Sequence, residues 1–571
     1  MKRINNLLLL LVLVLGGQDV QVSSSFHLPG KKINTKYCRH QQQQQQQQRP
    51  SCGIAASRST AMKISSGGGV VGEVDSGVGE VDKVYRRHAD GRGIKVSIIV
   101  GVITAAMGYL YGKVLSFSVT TLWHTLPSML HMETLNPTYF ITGICTIGGL
   151  LMGILSSALS SSTFTVADFV SLFSSSGPKT LPSSRVHLLP LLLLSLVTST
   201  FGFSVGPEAP MVCAGALIGA SIARYWYGEN VDNGNHQETL AYAGAAGALT
   251  AFMGIPLAGS IFALELTSSH AGLNKAGGKR ALSSTIISSI AALITIRAVF
   301  EPYSAIGGHF DYGKVVALLS GRTMIVTSVA CGAGGALLGT VFHKLVAIIK
   351  KIAWNTKIPP IVNTTNNNGA KSDSINKKKN ISWIRPVFIK TLIGLLVGII
   401  SSNYPQTLFW GEGSLQTMIS GQQIAFIDTK HGLSHLLTSS ALVDPSLPFE
   451  TAAAAAQVGL AKLLAIALAC AGKFPGGIIF PLMFAAAPLA HSISSLLSVS
   501  SGLVPVIVMC LMAATQASVT RTPLATVLIL SLSASAQTQL SVLLPGMILS
   551  SYLGVYFSSL LSRNSYFSYG W

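Results

Sequence analysis

Gly206-Pro207-Glu208-Ala209-Pro210 sits between two apolar stretches, and the way it is read decides the fold. A carboxylate at mid-bilayer costs roughly 2.5–3.5 kcal/mol on insertion scales, so an acid in membrane-type sequence usually faces a cavity and carries function. The glycine and the two prolines interrupt a helix at the same point. Backbone broken at membrane depth survives only where it is buried in protein or lines a water-filled path. The stretch therefore proposes a pathway and a titratable group in it. The competing reading is a surface loop between two spans, with Glu208 solvated.

Composition sets the class. The 571 residues are 49% hydrophobic and 10% charged, with mean hydropathy +0.52, where a soluble domain carries about 25% charged residues. We expect an all-α polytopic membrane protein embedded in lipid. Apolar segments recur from about Ile94 to Leu561, many of them near the ~20 residues that cross a bilayer. Others are short or cut by Gly and Pro, as in 208–226, 255–268 and 476–490. The net charge of +19 is spread over the N-terminal region and the loops. No basic run is interleaved with exposed aromatics, so nucleic acid is not expected as a partner. Cys145, Cys213, Cys331, Cys470 and Cys510 lie in apolar segments and read as small hydrophobes. With no metal spacing, nucleophile–base set or phosphate loop, neither a cofactor nor an enzyme activity is expected.

Residues 1–25 read as a signal peptide, with basic Lys2 and Arg3 and an apolar core from Leu7 to Leu15. Residues 26–90 read as a low-complexity, transit-like leader, with the Gln41–Gln48 tract and no acid between Asp19 and Glu73. This pairing resembles the two-part plastid presequences of algae with secondary plastids, where Phe26 after Ser23-Ser24-Ser25 fits the cleavage region. It implies an envelope or thylakoid membrane. A plain secretory signal with an unstructured arm is the alternative, giving another endomembrane or the plasma membrane. The remainder divides into a first membrane half (91–303), a connection (304–320) and a second half (321–571) that carries a basic loop at 358–384. Arg86, Arg87, Arg92, Lys95 and that loop point to the cytosolic or stromal side.

The two halves repeat. Pro256-Leu257-Ala258 and Pro523-Leu524-Ala525 each follow a small-residue helix and a break, and Pro210 and Pro481 each open another such helix upstream. Paired interrupted segments in corresponding halves point to a site at the repeat interface. Short helices start after 206–210, after 472–477 and near 162–168. A helix N-terminus offers free N–H groups and about half a positive charge, which suits an anion. Converging starts would bind one without a fixed cation, weakly enough for it to leave. Glu208 at such a start would act as a tethered anion competing for those N–H groups and released by protonation.

Gly206-x-Glu208-x-Pro210, Ala245-Ala246-Gly247 through Pro256-Leu257-Ala258-Gly259, and Gly476-Gly477-Ile478-Ile479-Phe480-Pro481 together resemble the CLC family of chloride channels and chloride/proton antiporters, over about 91–571. Tyr404-Pro405 and Arg521-Thr522-Pro523 also sit where that family has similar residues. The branch it resembles is the plastid and cyanobacterial-like one without C-terminal regulatory domains. The resemblance implies a homodimer with one anion pathway per subunit, each subunit an inverted repeat of about eighteen tilted and broken helices. Glu208 matches the gating glutamate. Gly206, Ala209, Ile478, Ile479 and Phe480 fall in the anion-binding segments, with the backbone N–H groups of Ile478 and Ile479 at the central anion. The pore tyrosine falls at Tyr566, with Phe567 the alternative by strict spacing.

Three departures bear on mechanism. Pro207 and Ala209 replace both usual neighbours of the glutamate. The first family signature is unrecognisable, and Ser162, Thr163 or Thr165 would have to supply its hydroxyl; Thr163 is taken as the representative. Leu266 stands where coupled members often carry a second carboxylate, and Glu265 beside it reads as packing at a helix end. The expected function is a gated chloride-type anion channel. An anion/proton antiporter and a non-conducting membrane scaffold are the alternatives. Chloride versus nitrate stays open.

Overall fold

The computed structural model describes residues 91–129, 137–159, 165–174, 184–228, 234–271, 276–300, 310–313, 321–355, 373–423, 447–535 and 538–562. The signal-like and transit-like leader, Ser162, Thr163, Tyr566, Phe567, and most of the 304–320 connection and the 358–384 loop lie outside them.

Helix α1 (Gly91–Thr120) continues through a π-helical turn (Thr121–Thr125) into α2 (Leu126–Met129). Then follow α3 (Pro137–Ala158), α4 (Val166–Ser174), α5 (Ser184–Thr200), α6 (Glu208–Tyr227), α7 (Gly234–Met253), α8 (Pro256–Ala271) and α9 (Ala276–Thr295). The second half holds α10 (Gly321–Asn355), α11 (Asp373–Asn403), α12 (Leu415–Ile419), α13 (Ala452–Ala471), α14 (Ile479–Leu496), α15 (Val504–Thr520), α16 (Pro523–Leu532) and α17 (Leu540–Leu561). A two-residue antiparallel pair, Gln422–Gln423 with Leu447–Pro448, is the one sheet among the described residues. Among the described residues, eight helices are long and apolar enough to cross a membrane, while α5, α8, α15 and α16 are shorter apolar helices. The result is the expected all-α, polytopic, CLC-type inverted repeat.

The breaks have local causes. Between α7 and α8, Gly254 takes φ +71° and Pro256 opens the next helix. At the matching place between α15 and α16, Arg521 takes φ +62° before Pro523. A left-handed arginine is unusual. Its guanidinium donates to the carbonyls of Val555 and Ser562, both at 3.0 Å, which holds it there.

The repeat is visible in reciprocal contacts. Where α3 crosses α11, Gly149 lies against the carbonyl of Lys390, and Gly394 lies against the carbonyl of Cys145. A Cβ placed on Gly153 would stand 2.6 Å from the Cα of Val387, and one on Gly398 would stand 2.8 Å from the Cα of Thr142. The shift that carries Gly149 to Gly394 carries every one of these residues to its counterpart, as a two-fold axis through the crossing requires. Small residues four apart let backbones touch, the usual basis of helix packing in lipid.

The same reciprocity runs through the site-forming turns. Trp123 Nε1 donates to the carbonyl of Thr200 and Trp354 Nε1 to that of Ala471, both at 2.8 Å. Phe203 stacks on its own counterpart Phe474, with ring centroids 4.2 Å apart.

Because the crossing has no room for side chains, Gly398→Leu is expected to destabilise the fold by about 1–3 kcal/mol through overpacking. The check is the thermal midpoint of detergent-purified protein, which should fall, while Gly143→Ala, on the crossing partner α3 but with open space around it, should leave it in place.

Candidate anion-binding site

The site begins at the axis. Gly206 N donates to Gly477 O at 2.9 Å, and Gly477 N donates back to Gly206 O at 2.5 Å, a bridge between equivalent glycines. Each glycine is followed by one residue, Pro207 or Ile478, and then by the first residue of α6 or α14. The third helical residue is proline in both, Pro210 and Pro481. Proline fits a first turn because the N–H it lacks would be unpaired there. The N–H groups of Ala209 on one side, and of Ile478, Ile479 and Phe480 on the other, donate to no acceptor among the described residues, while that of Glu208 faces its own carboxylate. Turned to satisfy both of its ends, the buried Gln516 amide donates to the carbonyls of Ile478 and Ile479 at 3.3 and 3.2 Å. That fixes the backbone of the α14 start.

Glu208 is fully buried, and neither carboxylate oxygen has a hydrogen-bond partner among the described residues. The carboxylate lies in the notch made by the bridge. A Cβ on Gly477 would run into its Oε2, and one on Gly206 into both oxygens. The missing side chains of those two glycines are what give it room. Tyr111, whose hydroxyl pairs with Ser195 Oγ at 2.8 Å, and Glu412, which accepts from Trp410 Nε1 at 3.0 Å, lie within electrostatic reach of it.

On the other side of the bridge is a cavity of about 430 Å³. Taking about 30 Å³ of liquid per water, it has room for on the order of ten waters. Three helix starts line it: Thr165 to Ala167 at the start of α4, Ala209 and Pro210 of α6, and Gly476 to Ile479 leading into α14. The three breaks singled out in the sequence do converge.

Of the three candidate hydroxyls near the α4 start, Thr165 is the described one. Thr165 Oγ1 donates to Asp168 Oδ2 at 2.7 Å, Thr165 N donates to the same oxygen at 2.8 Å, and Asp168 N donates to Thr165 Oγ1 at 3.2 Å. This is a reciprocal capping box, so Thr165 is engaged in ending its own helix. Leu266 is fully buried in α8. Glu265 beside it accepts from Leu524 N at 3.1 Å and Ala525 N at 2.8 Å, capping α16.

Sequence reading missed Lys462. It is fully buried on α13 and donates to the carbonyls of Thr407 (3.1 Å) and Phe409 (2.7 Å), with its ammonium 4.8 Å from the Phe484 ring centroid. The Ser204 hydroxyl shares the Thr407 carbonyl. Lys462 thereby ties the segment after Tyr404-Pro405 to the strand of chain entering α6. The available signal was a lone lysine inside the apolar run 452–471.

The family model for voltage gated chloride channels matches residues 175–366 and 368–555, well over half of the chain. The chain belongs to the CLC family. It is thus a membrane anion transporter, and α4, α6 and α14 are the CLC helices whose starts meet at the cavity. "Putative ion-transport protein YfeO" of Salmonella schwarzengrund is 23% identical over 398 residues, 69% of this chain and 78% of that protein. A chloride/fluoride channel protein of Pseudomonas syringae pv. tomato is 24% identical over 178 residues, 31% of this chain and 36% of that protein. A slow cyanobacterial Cl−/H+ antiporter superposes with TM-score 0.60 at 15% identity, covering 84% of this chain and 96% of its own. At that identity the superposition shows the fold.

If Glu265 is a cap, Glu265→Ala should cost about 1 kcal/mol, as loss of an N-cap does, while the pH dependence of anion flux stays as in the wild type. Thermal unfolding and flux measured on one preparation test both, and an altered pH profile would assign Glu265 to proton movement instead.

Proposed function

We propose that the protein is a gated chloride-type anion channel in which Glu208 is the gate. One observation carries this reading: a fully buried carboxylate that accepts from no other described residue sits in a glycine notch beside four unused helix-start N–H groups. An isolated buried carboxylate is costly. On this reading it is held by the partial positive charge of the α6 and α14 starts, the same field that draws a permeant anion from the cavity. Anion and carboxylate compete for one place. Protonation removes the carboxylate's charge, and with it the hold of the N–H groups, so the anion takes them and the path opens.

Ala209, Ile478, Ile479 and Phe480 bind through backbone N–H groups, and Gly206, whose own N–H is spent on Gly477, contributes the space beside them. Thr163 and Tyr566 supply the remaining contacts by family resemblance, which also implies a homodimer. Leu266 supports passive flux, since an alkyl side chain carries no proton. Coupled exchange is the second reading, favoured by the polar groups Tyr111, Ser195 and Glu412 on the far side of Glu208.

Purified protein in liposomes, with chloride and proton movement followed together, tests the assignment. Wild-type flux should rise on acidification, because protonated Glu208 no longer competes. Glu208→Ala should conduct at all pH values with a flat profile. A variant that keeps steep pH and voltage dependence would remove Glu208 as the gate. Protons driven uphill by an imposed chloride gradient would establish the exchanger, and vesicles tight to anions under every condition would favour the scaffold.

The leader supports a plastid address, where an anion channel would balance charge against light-driven proton pumping. A fluorescent fusion should light the plastid envelope or thylakoid, and a signal confined to the cell surface would exclude that role.

A further inference from the structure

The two-fold repeat is broken by charge at one place. Under the shift that carries Thr200 to Ala471 and Gly206 to Gly477, Gly202 corresponds to Lys473, and both take left-handed backbone, φ +80° and +58°. Under the shift that carries Gly149 to Gly394, Cys145 corresponds to Lys390. The first half thus has a thiol and a glycine where the second half has two lysines. Lys473 Nζ stands 4.6 Å over the Trp354 ring. Gly202, with no side chain, is packed against the equivalent Trp123.

Space differs as well as charge. Beside Gly202, Leu408 and Phe409 occupy the room, with Phe409 N donating to the Gly202 carbonyl at 3.1 Å. Beside Lys473 the room is open, and both lysines line the 430 Å³ cavity. Lys390 is 4% exposed; it donates to the Lys473 carbonyl at 3.3 Å and lies 5.5 Å from the Phe474 ring centroid. One contact leaves its other two N–H donors for a ligand. No carboxylate pairs with either lysine among the described residues, and Lys350 and Arg385 add charge nearby. A left-handed lysine held over an indole and a buried lysine beside it are costly to keep for packing alone.

We propose that Lys390 and Lys473 form a second anion site at the cavity mouth, which takes a hydrated, doubly charged inorganic oxyanion such as sulfate or hydrogen phosphate. Two ammonium groups match two charges, and the cavity accommodates the ion with part of its water. Farther in, the helix-start N–H groups wait without a fixed cation, too weak to strip a divalent ion. It therefore seats at the mouth and blocks monovalent anions. The block rests on the channel reading, whereas the site itself does not.

The test is calorimetric titration of sodium sulfate into the purified full chain at low ionic strength, in lipid-free detergent. Wild type should bind sulfate, Lys473→Gln should weaken it about tenfold, as expected for loss of a charge-assisted contact, and Lys473→Arg should retain it. Lys390→Gln should weaken it also. Lys473 is exposed, so its substitution leaves the core packing alone. Absence of wild-type binding, or equal binding by Lys473→Gln, would overturn the site. Binding only of phosphatidic acid vesicles, with none of sulfate, would also overturn it in favour of a lipid headgroup. In liposomes, sulfate should inhibit wild-type chloride flux and spare Lys473→Gln; equal inhibition of both would overturn the block. A wild type that binds sulfate through Lys473 yet passes no chloride leaves the site standing and refutes the channel reading alone.

Discussion

Two glycines touching across a pseudo-two-fold axis are the constraint on which the rest of this structure depends. Gly206 and Gly477 exchange both backbone hydrogen bonds, and a side chain on either would run into the Glu208 carboxylate beside them. The exchange consumes the amide and carbonyl of each glycine. It leaves the next N–H groups, those entering α6 and α14, without partners on either side of the bridge. A buried backbone N–H without an acceptor is rare and costly. Here the cost is concentrated at one point in the membrane, and an anion at that point would relieve it. The same contact fixes where Glu208 sits, because its carboxylate rests in the space both glycines leave empty.

Fixed positive side chains are kept away from this point. Lys462 is fully buried, but its ammonium is spent on the Thr407 and Phe409 carbonyls and on the Phe484 ring. Lys390 and Lys473 stand at the mouth of the cavity. A chloride held by a buried ammonium would gain far more than one held by backbone dipoles, and conduction fails if binding is too strong for exit. On the proposed reading, the arrangement separates attraction, which lysines supply at a distance, from binding, which peptide groups supply.

What sequence could reveal here follows from how local each cause is. The Gly206–Pro210 break, the proline-led repeat and the three helix starts are local events, set by residues that cannot continue a helix, and they are legible in single stretches. The reciprocal pairs are not. Nothing in the chain near Trp123 announces that it is the counterpart of Trp354, because the two are equivalent only through a symmetry axis that exists once the halves have packed. Lys462 was illegible for the same reason: its partners lie in another segment, and a lone lysine in an apolar run gives no hint of two carbonyls waiting for it. Thr165 shows how a neighbour in sequence can claim a candidate group. Its hydroxyl type suits an anion filter, but Asp168, three residues on, satisfies it locally, and the local partner wins because closing a three-residue loop costs less entropy than reaching across helices.

Symmetry of the frame and asymmetry of the filling together give the pathway a direction. Each half contributes the same turn, the same tryptophan bond and the same glycine to the axis. An unmodified repeat would offer identical approaches from both sides of the membrane. Instead Leu191 lines the cavity on one side, while its counterpart Lys462 on the other draws in the Thr407–Phe409 segment, which fills the equivalent space. One approach is open and basic, and the other is packed, with Glu208, Tyr111 and Glu412 as its polar groups. A single carboxylate placed at the boundary between two such unlike halves is sensed differently from each side. An anion arriving from the cavity meets the α14 N–H groups before it meets the carboxylate. A proton arriving from the packed side meets Glu208 first. On the proposed channel reading, this order of encounter, set by which half was filled, lets a nearly symmetric fold respond differently from its two sides.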